Sequence, residues 1–189
     1  MYWIWQSLRA NDNDARIADR PVVISELGVR FDEGARIQGA VPVIRMIRDE
    51  DSQGQLTDNL IAPGTTGLVL SSRLRQLLTA HGVHNIEYYP VELENPIDNS
   101  RTNDYQLGNL IGRVACFDLA QSVLQRDPRT GALEFIDALA LDESKIGELR
   151  MFRSSEHAQV IMVHEDIRNA CVATNITGVV FVRPADFSM

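Results

Sequence analysis

Leu68-Val69-Leu70-Ser71-Ser72-Arg73-Leu74-Arg75-Gln76-Leu77-Leu78-Thr79-Ala80-His81-Gly82 decides how the rest of the chain reads. Leu68-Val69-Leu70 has strand character and runs into Ser71-Ser72, whose hydroxyls can accept from the orphan amides of a helix start. Leu74, Leu77 and Leu78 then recur at helical spacing. His81 falls in the last turn, where a cation is favoured, and Gly82 follows as a natural C′ residue. Ile86-Glu87-Tyr88-Tyr89-Pro90-Val91-Glu92-Leu93 returns in near alternation as a strand, with Pro90 suited to an edge or a bulge. The segment near residues 68–93 is thus a strand–helix–strand unit.

A second such unit is predicted near residues 159–183. Val160-Ile161-Met162-Val163 reads as a strand. Glu165 to Ala173 carries Ile167, Ala170 and Cys171 on one helical face, and Gly178-Val179-Val180-Phe181-Val182 closes as a strand before Pro184. The likeness of the two units is supersecondary, without an internal sequence repeat. Between them, Tyr105 to Asp118 is strand-like, with Gly108 and Gly112 as bulges or close approaches. Leu124 to Asp142 is a hairpin turning at Asp127-Pro128-Arg129-Thr130-Gly131. Upstream, Tyr2-Trp3-Ile4-Trp5 is strand-prone. Asn11-Asp12-Asn13-Asp14 and Asp19-Arg20-Pro21 read as breaks. Val22 to Arg48 reads as short strands punctuated by glycines, with Val43-Ile44-Arg45-Met46-Ile47 the clearest, and Asp49 to Gly67 as a surface loop. Short helices among many strands predict an α+β fold, a mostly antiparallel or mixed sheet with a few short helices packed on it. The expected organisation is a variable strand-and-loop region over residues 1–65 and a core over 66–189, together forming one compact domain.

A chain of 189 residues can bury roughly 70% of its unfolded surface, so neither metal nor disulfide is needed for folding. Apolar residues make up 44% and charged residues 23%, an ordinary globular balance that argues against disorder. Cys116 and Cys171 lie far apart among apolar neighbours and read as buried free thiols. The start lacks the basic and apolar regions of a signal peptide, and no run approaches the ~20 apolar residues of a membrane span. A cytoplasmic protein is the expectation. The net charge of −8 argues against a nucleic-acid binder and is compatible with a basic protein partner.

Each candidate catalytic constellation lacks a part. His81 and His84 flank a helix stop without a third ligand. His164-Glu165 begins like a zincin helix, but Arg168 stands where the second histidine must lie. Cys171 could pair with His157 or His164 as nucleophile and base, yet it falls on an apolar helix face where burial keeps a thiol inert. Pro63-Gly64-Thr65-Thr66-Gly67 lacks the lysine of a phosphate loop, and its glycines read as turn residues. Carboxylate runs such as Asp49-Glu50-Asp51 and Asp142-Glu143 read as solvated faces. No cofactor or metal is expected.

The C-terminal pattern carries a resemblance. Leu68-Val69-Leu70-Ser71-Ser72-Arg73-Leu74 leads to Ile86-Glu87-Tyr88-Tyr89-Pro90-Val91, then Tyr105 to Ile111 and Cys116-Phe117-Asp118. Met151-Phe152-Arg153, Val160-Ile161-Met162-Val163-His164-Glu165 and Ile176-Thr177-Gly178-Val179-Val180-Phe181 before Arg183-Pro184 complete it. Over about residues 66–184 this resembles the immunity-protein family of bacterial polymorphic toxin systems named after a myxobacterial protein; the first 65 residues match weakly.

The resemblance implies a protein that binds the toxin encoded beside it, inside the producing cell, and it brings no catalytic residues. Its expected partner is a cognate toxin domain, with no nucleic acid or membrane; self-association is left open. Candidate contact residues are Tyr88, Tyr89, Glu92, Glu94, Asp98, Asp49, Glu50 and Asp51, although strand tyrosines are also ordinary half-buried sheet residues. Two other readings stand beside it. One is a small enzyme with dispersed groups such as His157, His164 and Cys171. The other is an assembly subunit whose N-terminal strand pairs with another copy.

Overall fold

A computed structural model describes residues 1–7, 14–18 and 21–189. The expected breaks at Asn11-Asp12-Asn13 and Asp19-Arg20 lie outside the described residues. In chain order the elements begin β1 (Tyr2–Ser7), α1 (Val22–Leu27), β2 (Ile44–Ile47), β3 (Asn59–Leu60), β4 (Leu68–Ser71) and α2 (Ser72–Ala80). Next come β5 (Ile86–Glu94), β6 (Arg101–Thr102), β7 (Tyr105–Leu110), β8 (Arg113–Val114), β9 (Val123–Arg126) and β10 (Leu133–Ala138). The chain closes with β11 (Met151–Ser154), β12 (Ile161–His164), α3 (Glu165–Ala173) and β13 (Val179–Val182). This is the α+β architecture the sequence predicts.

A five-stranded sheet has the order β13-β1-β12-β11-β8, and a six-stranded sheet has the order β2-β5-β7-β4-β3 with β6 beside β5. β9 and β10 form a separate hairpin. Both strand–helix–strand units are present, and each is split by an antiparallel strand. β7 lies between β4 and β5, and β1 lies between β12 and β13. Because β1 uses both of its edges inside the sheet, it is not free to pair with another copy. This corrects the assembly reading built on that strand.

Alternation along the strands divides the core into three parts. Leu68 and Leu70, Ile161 and Val163, and Trp5 turn towards α2 and α3, where Leu74, Leu78, Ile167 and Cys171 complete a shared core. Val69, Leu107, Val91 and Leu93 face the other way, onto Ile17, Ile24 and Phe31. Tyr2, Ile4, Met162 and Phe152 face Phe117, Ile136 and Leu139 beneath the hairpin. Each sheet therefore gives one face to the helices and the other to its own cover.

Two local expectations change. Val22–Leu27 is a helix rather than a strand. Pro21, at φ −58°, sets up its entry and Gly28, at φ +62°, ends it, so tertiary packing of Ile24 overrides the β preference of Val-Val-Ile. Residues 57–60 are not surface loop but buried. Asn59 and Leu60 pair with Val69 and Leu70 in β3. Asp58 accepts from the Ser71 hydroxyl at 2.8 Å and from the Thr177 amide at 3.0 Å, so this segment stitches the two halves together. Pro90 sits inside the six-stranded sheet, where the β7 ladder ends and the β2 ladder begins. Among the described residues no helix is long and apolar enough to cross a membrane.

Candidate functional site

β2 and β5 run parallel, with Arg45 opposite Glu92 and Ile47 opposite Glu94, while antiparallel β6 sets Arg101 opposite Glu94. Ile44, Met46, Val91 and Leu93 point into the core below. Strand alternation therefore sends Arg45, Ile47, Glu92 and Glu94 to the outer face. Glu92 takes Arg45 and Arg101, each at 3.4 Å, and Glu94 takes Arg101 at 2.8 Å. The helices pack over the other part of this face, so the far part of β5 stays open.

The chain leaves β2 and β5 side by side, since the Arg48 amide donates to the Glu94 carbonyl at 2.9 Å. That single register brings Asp49, Glu50 and Asp51 to the same end of the sheet as Glu92, Glu94 and Asp98. Asp49 accepts from the Asp51 amide and Asp98 from the Ser100 amide, both at 2.9 Å. Hydrogen bonds from Ser100, with Arg48 nearby, hold the Asp98 carboxyl below its usual range. The two acidic stretches singled out in the sequence thus leave the sheet at one end, where Glu92 and Glu94 are themselves paired with Arg45 and Arg101.

The tyrosines do not join them. Tyr88 lies against the shared core, with the Arg75 guanidinium 5.7 Å from its ring centre. Burial pushes its hydroxyl up to about 12. Tyr89 turns to the opposite side and packs edge-on to Phe31 at 5.7 Å, its hydroxyl donating to Glu87 at 3.2 Å. Along an extended strand Tyr88 is about 20 Å from Glu94. The sequence reasoning missed Ile47 and Ile97, which are 51% and 62% exposed beside the acidic groups. Ile47 was legible in the alternation with buried Ile44 and Met46; Ile97 had no comparable signal.

The groups considered for chemistry are dispersed. Cys171 lies in the shared core and Cys116 under the hairpin; burial pushes both thiols up to about 12, which removes the thiolate a nucleophile needs. Burial lowers the His157 pKa. His164 Nδ1 receives Arg150 at 2.8 Å and the Asp166 amide at 3.3 Å, so it acts as an acceptor. Its 3.2 Å approach to the Asp166 carboxylate is then not an ion pair unless the ring gains a proton. His81 and His84 are both exposed. Among the described residues no group of three His, Cys, Asp or Glu side chains is placed to hold a metal ion.

No curated protein matches the chain. A family model does, the immunity protein family (Imm11), over residues 7–186, taking in most of the segment before Thr66 as well as both strand–helix–strand units. With nearly its whole length inside that match, the chain belongs to the immunity protein family (Imm11).

Proposed function

We propose that this protein neutralises a cognate toxin, encoded beside it, by stoichiometric binding in the cytoplasm of the producing cell and without catalysis. The observation that carries the reading is the family match over residues 7–186. The open acidic face around Glu92, Glu94, Asp98 and Asp49 to Asp51 supports it as the contact surface, with Ile47 and Ile97 as apolar contacts within it. A chain of net charge −8 favours encounter with a basic toxin surface. Tyr88, under the helices on the same face, and Tyr89, on the opposite one, would act by holding β5 in place. The first 65 residues are the region proposed to vary among relatives, and they supply the Asp49 to Asp51 side of this face.

Neutralisation at nanomolar affinity needs about −12 kcal/mol, which an interface of ~1,600 Å² with a few anchors supplies. Co-expression with the neighbouring gene should rescue growth, and the two products should co-purify in one-to-one ratio. A toxic neighbour that still kills, with no complex recovered, sinks the proposal.

A further inference from the structure

Arg153, on β11, is the only basic residue buried among the described residues, at 3% exposure. Its Nη1 donates to the Ala158 carbonyl at 2.7 Å and its Nη2 to the Thr66 carbonyl at 2.8 Å. Nε has no partner, and no ion pair compensates the charge among the described residues. Burial outweighs the pull of nearby Asp32 and lowers its pKa to about 10. Arg153 lines a cleft of about 220 Å³ between the two sheets, together with Ser7, Asp32, Thr65, Thr66, Gly67 and Gln159.

The cleft is rich in unused donors. The Thr66 hydroxyl oxygen accepts from the Phe31 amide at 2.7 Å and the Ser7 hydroxyl oxygen from Asn59 at 2.9 Å, so each keeps its hydrogen to give. Gln159 is exposed at the mouth. The one carboxylate there, Asp32, is held in a two-point pair by Arg30 at 3.0 and 2.7 Å. Arg30 and Asp32 cancel, and Arg153, with Arg113 close enough to act on it, leaves the cleft positive in a protein of net charge −8.

We infer that this cleft is a receptor for a single carboxylate, held by the Arg153 guanidinium and steadied by Thr66, Ser7 and Gln159. The planar guanidinium suits a carboxylate. The lining offers a single guanidinium beside the Asp32 carboxylate, which suits a monoanion better than a multiply charged phosphate. The volume admits a carboxylate with a short carbon stem, since a water molecule occupies about 30 Å³. The turn Pro63-Gly64-Thr65-Thr66-Gly67, which has no lysine for phosphate, thereby supplies a hydroxyl to a different anion. The inference does not depend on the proposed function.

The carboxylate can come from a small metabolite or from an acidic side chain of a bound protein, and one experiment separates them. The full-length protein is titrated with sodium acetate at constant ionic strength against sodium chloride, while the Arg153 Nε–H resonance is followed by NMR. The resonance is assigned by its loss in Arg153→Lys. A saturable shift with acetate only, weakened several-fold by Gln159→Ala and Thr66→Val, is the expected result. The titration is repeated on the co-purified toxin complex. A resonance already shifted and blind to acetate assigns the carboxylate to the partner; one that still responds assigns it to a small molecule. A resonance that moves with neither acetate nor partner overturns the inference and leaves Arg153 as a crosslink between Thr66 and Ala158.

Discussion

Ser71 and His164 hold equivalent posts in the two halves of the molecule. Each ends the strand that feeds a helix, and each side chain accepts an amide of that helix, Leu74 N–H to Ser71 Oγ at 3.2 Å and Asp166 N–H to His164 Nδ1 at 3.3 Å. A hydroxyl oxygen does in one half what an imidazole nitrogen does in the other. Ser71 also donates to buried Asp58 at 2.8 Å, so removing it takes one donor from a carboxylate that keeps Thr177 and Arg73, as well as the cap from a helix amide. Ser71→Ala is expected to cost about 2 kcal/mol and His164→Ala about 1 kcal/mol, read from urea unfolding midpoints at neutral pH. Equal losses would mean that the Ser71–Asp58 bond adds nothing to the cap.

The ion pairs on the outer face of β5 involve well-exposed arginines, Arg45 at 80% and Arg101 at 53% side-chain exposure. Glu92→Lys with Glu94→Lys should change stability by no more than about 1 kcal/mol. The same pair should weaken toxin binding at least tenfold and abolish rescue in co-expression. A double variant that binds as wild type moves the contact surface elsewhere while leaving the neutralising role intact.

Glycines provide a graded test of packing. Gly178 has φ +79°, and a Cβ there would collide with the Asn59 carbonyl and with Thr57. Gly131, at φ +72°, has open space around it. Gly131→Ala should cost about 1 kcal/mol from the backbone alone, whereas Gly178→Ala should cost more than ~3 kcal/mol or prevent folding. Thermal melts rank the two directly, and similar melting temperatures would disprove the tight seam between residues 57–59 and β13.

Acid and alkali should act through different groups. Burial pushes the Asp32 carboxyl up, but hydrogen bonds and charge from Arg30 outweigh it and hold the group below its usual 3.8. Its contribution is therefore present above pH 3.8 and lost as pH falls through the lower folded value. Arg30→Met should make acid unfolding begin at a higher pH. The thiols work in the opposite sense, since Cys116 and Cys171 rise from 9.0 to about 12 on folding. Stability should decline as pH rises above 9.0, and neither thiol should react with a thiol reagent until the chain unfolds. Rapid labelling of the native protein would contradict the burial.

What the sequence makes legible is local. The Leu68–Gly82 segment announces itself because strand character, a hydroxyl cap, helical spacing and a terminal glycine are all neighbours along the chain. The insertion of β7 between β4 and β5, and of β1 between β12 and β13, leaves no local trace, because pairing partners far apart in sequence carry no shared spacing. The same limit applies to the acidic face. Asp49 to Asp51 and Glu92 to Asp98 are separately visible as charged stretches, but that they leave the sheet at one end depends on the parallel register of Ile44 with Val91. Val22–Leu27 misled for the converse reason, as its β-branched residues serve a helix that exists to bury Ile24.

The place of β1 has a consequence for how the molecule is made. Tyr2–Ser7 precedes its ladder partners, residues 161–164 and 179–182, by more than 150 positions along the chain. Until those residues have been synthesised, Trp3 and Trp5 have no sheet to enter, and the shared core lacks one wall. Closing so long a loop makes folding slow and leaves an apolar strand exposed in the nascent chain. The shared core is therefore completed only once residues 179–182 are available, and a chain cut short before them would be a substrate for proteolysis rather than a partly working protein.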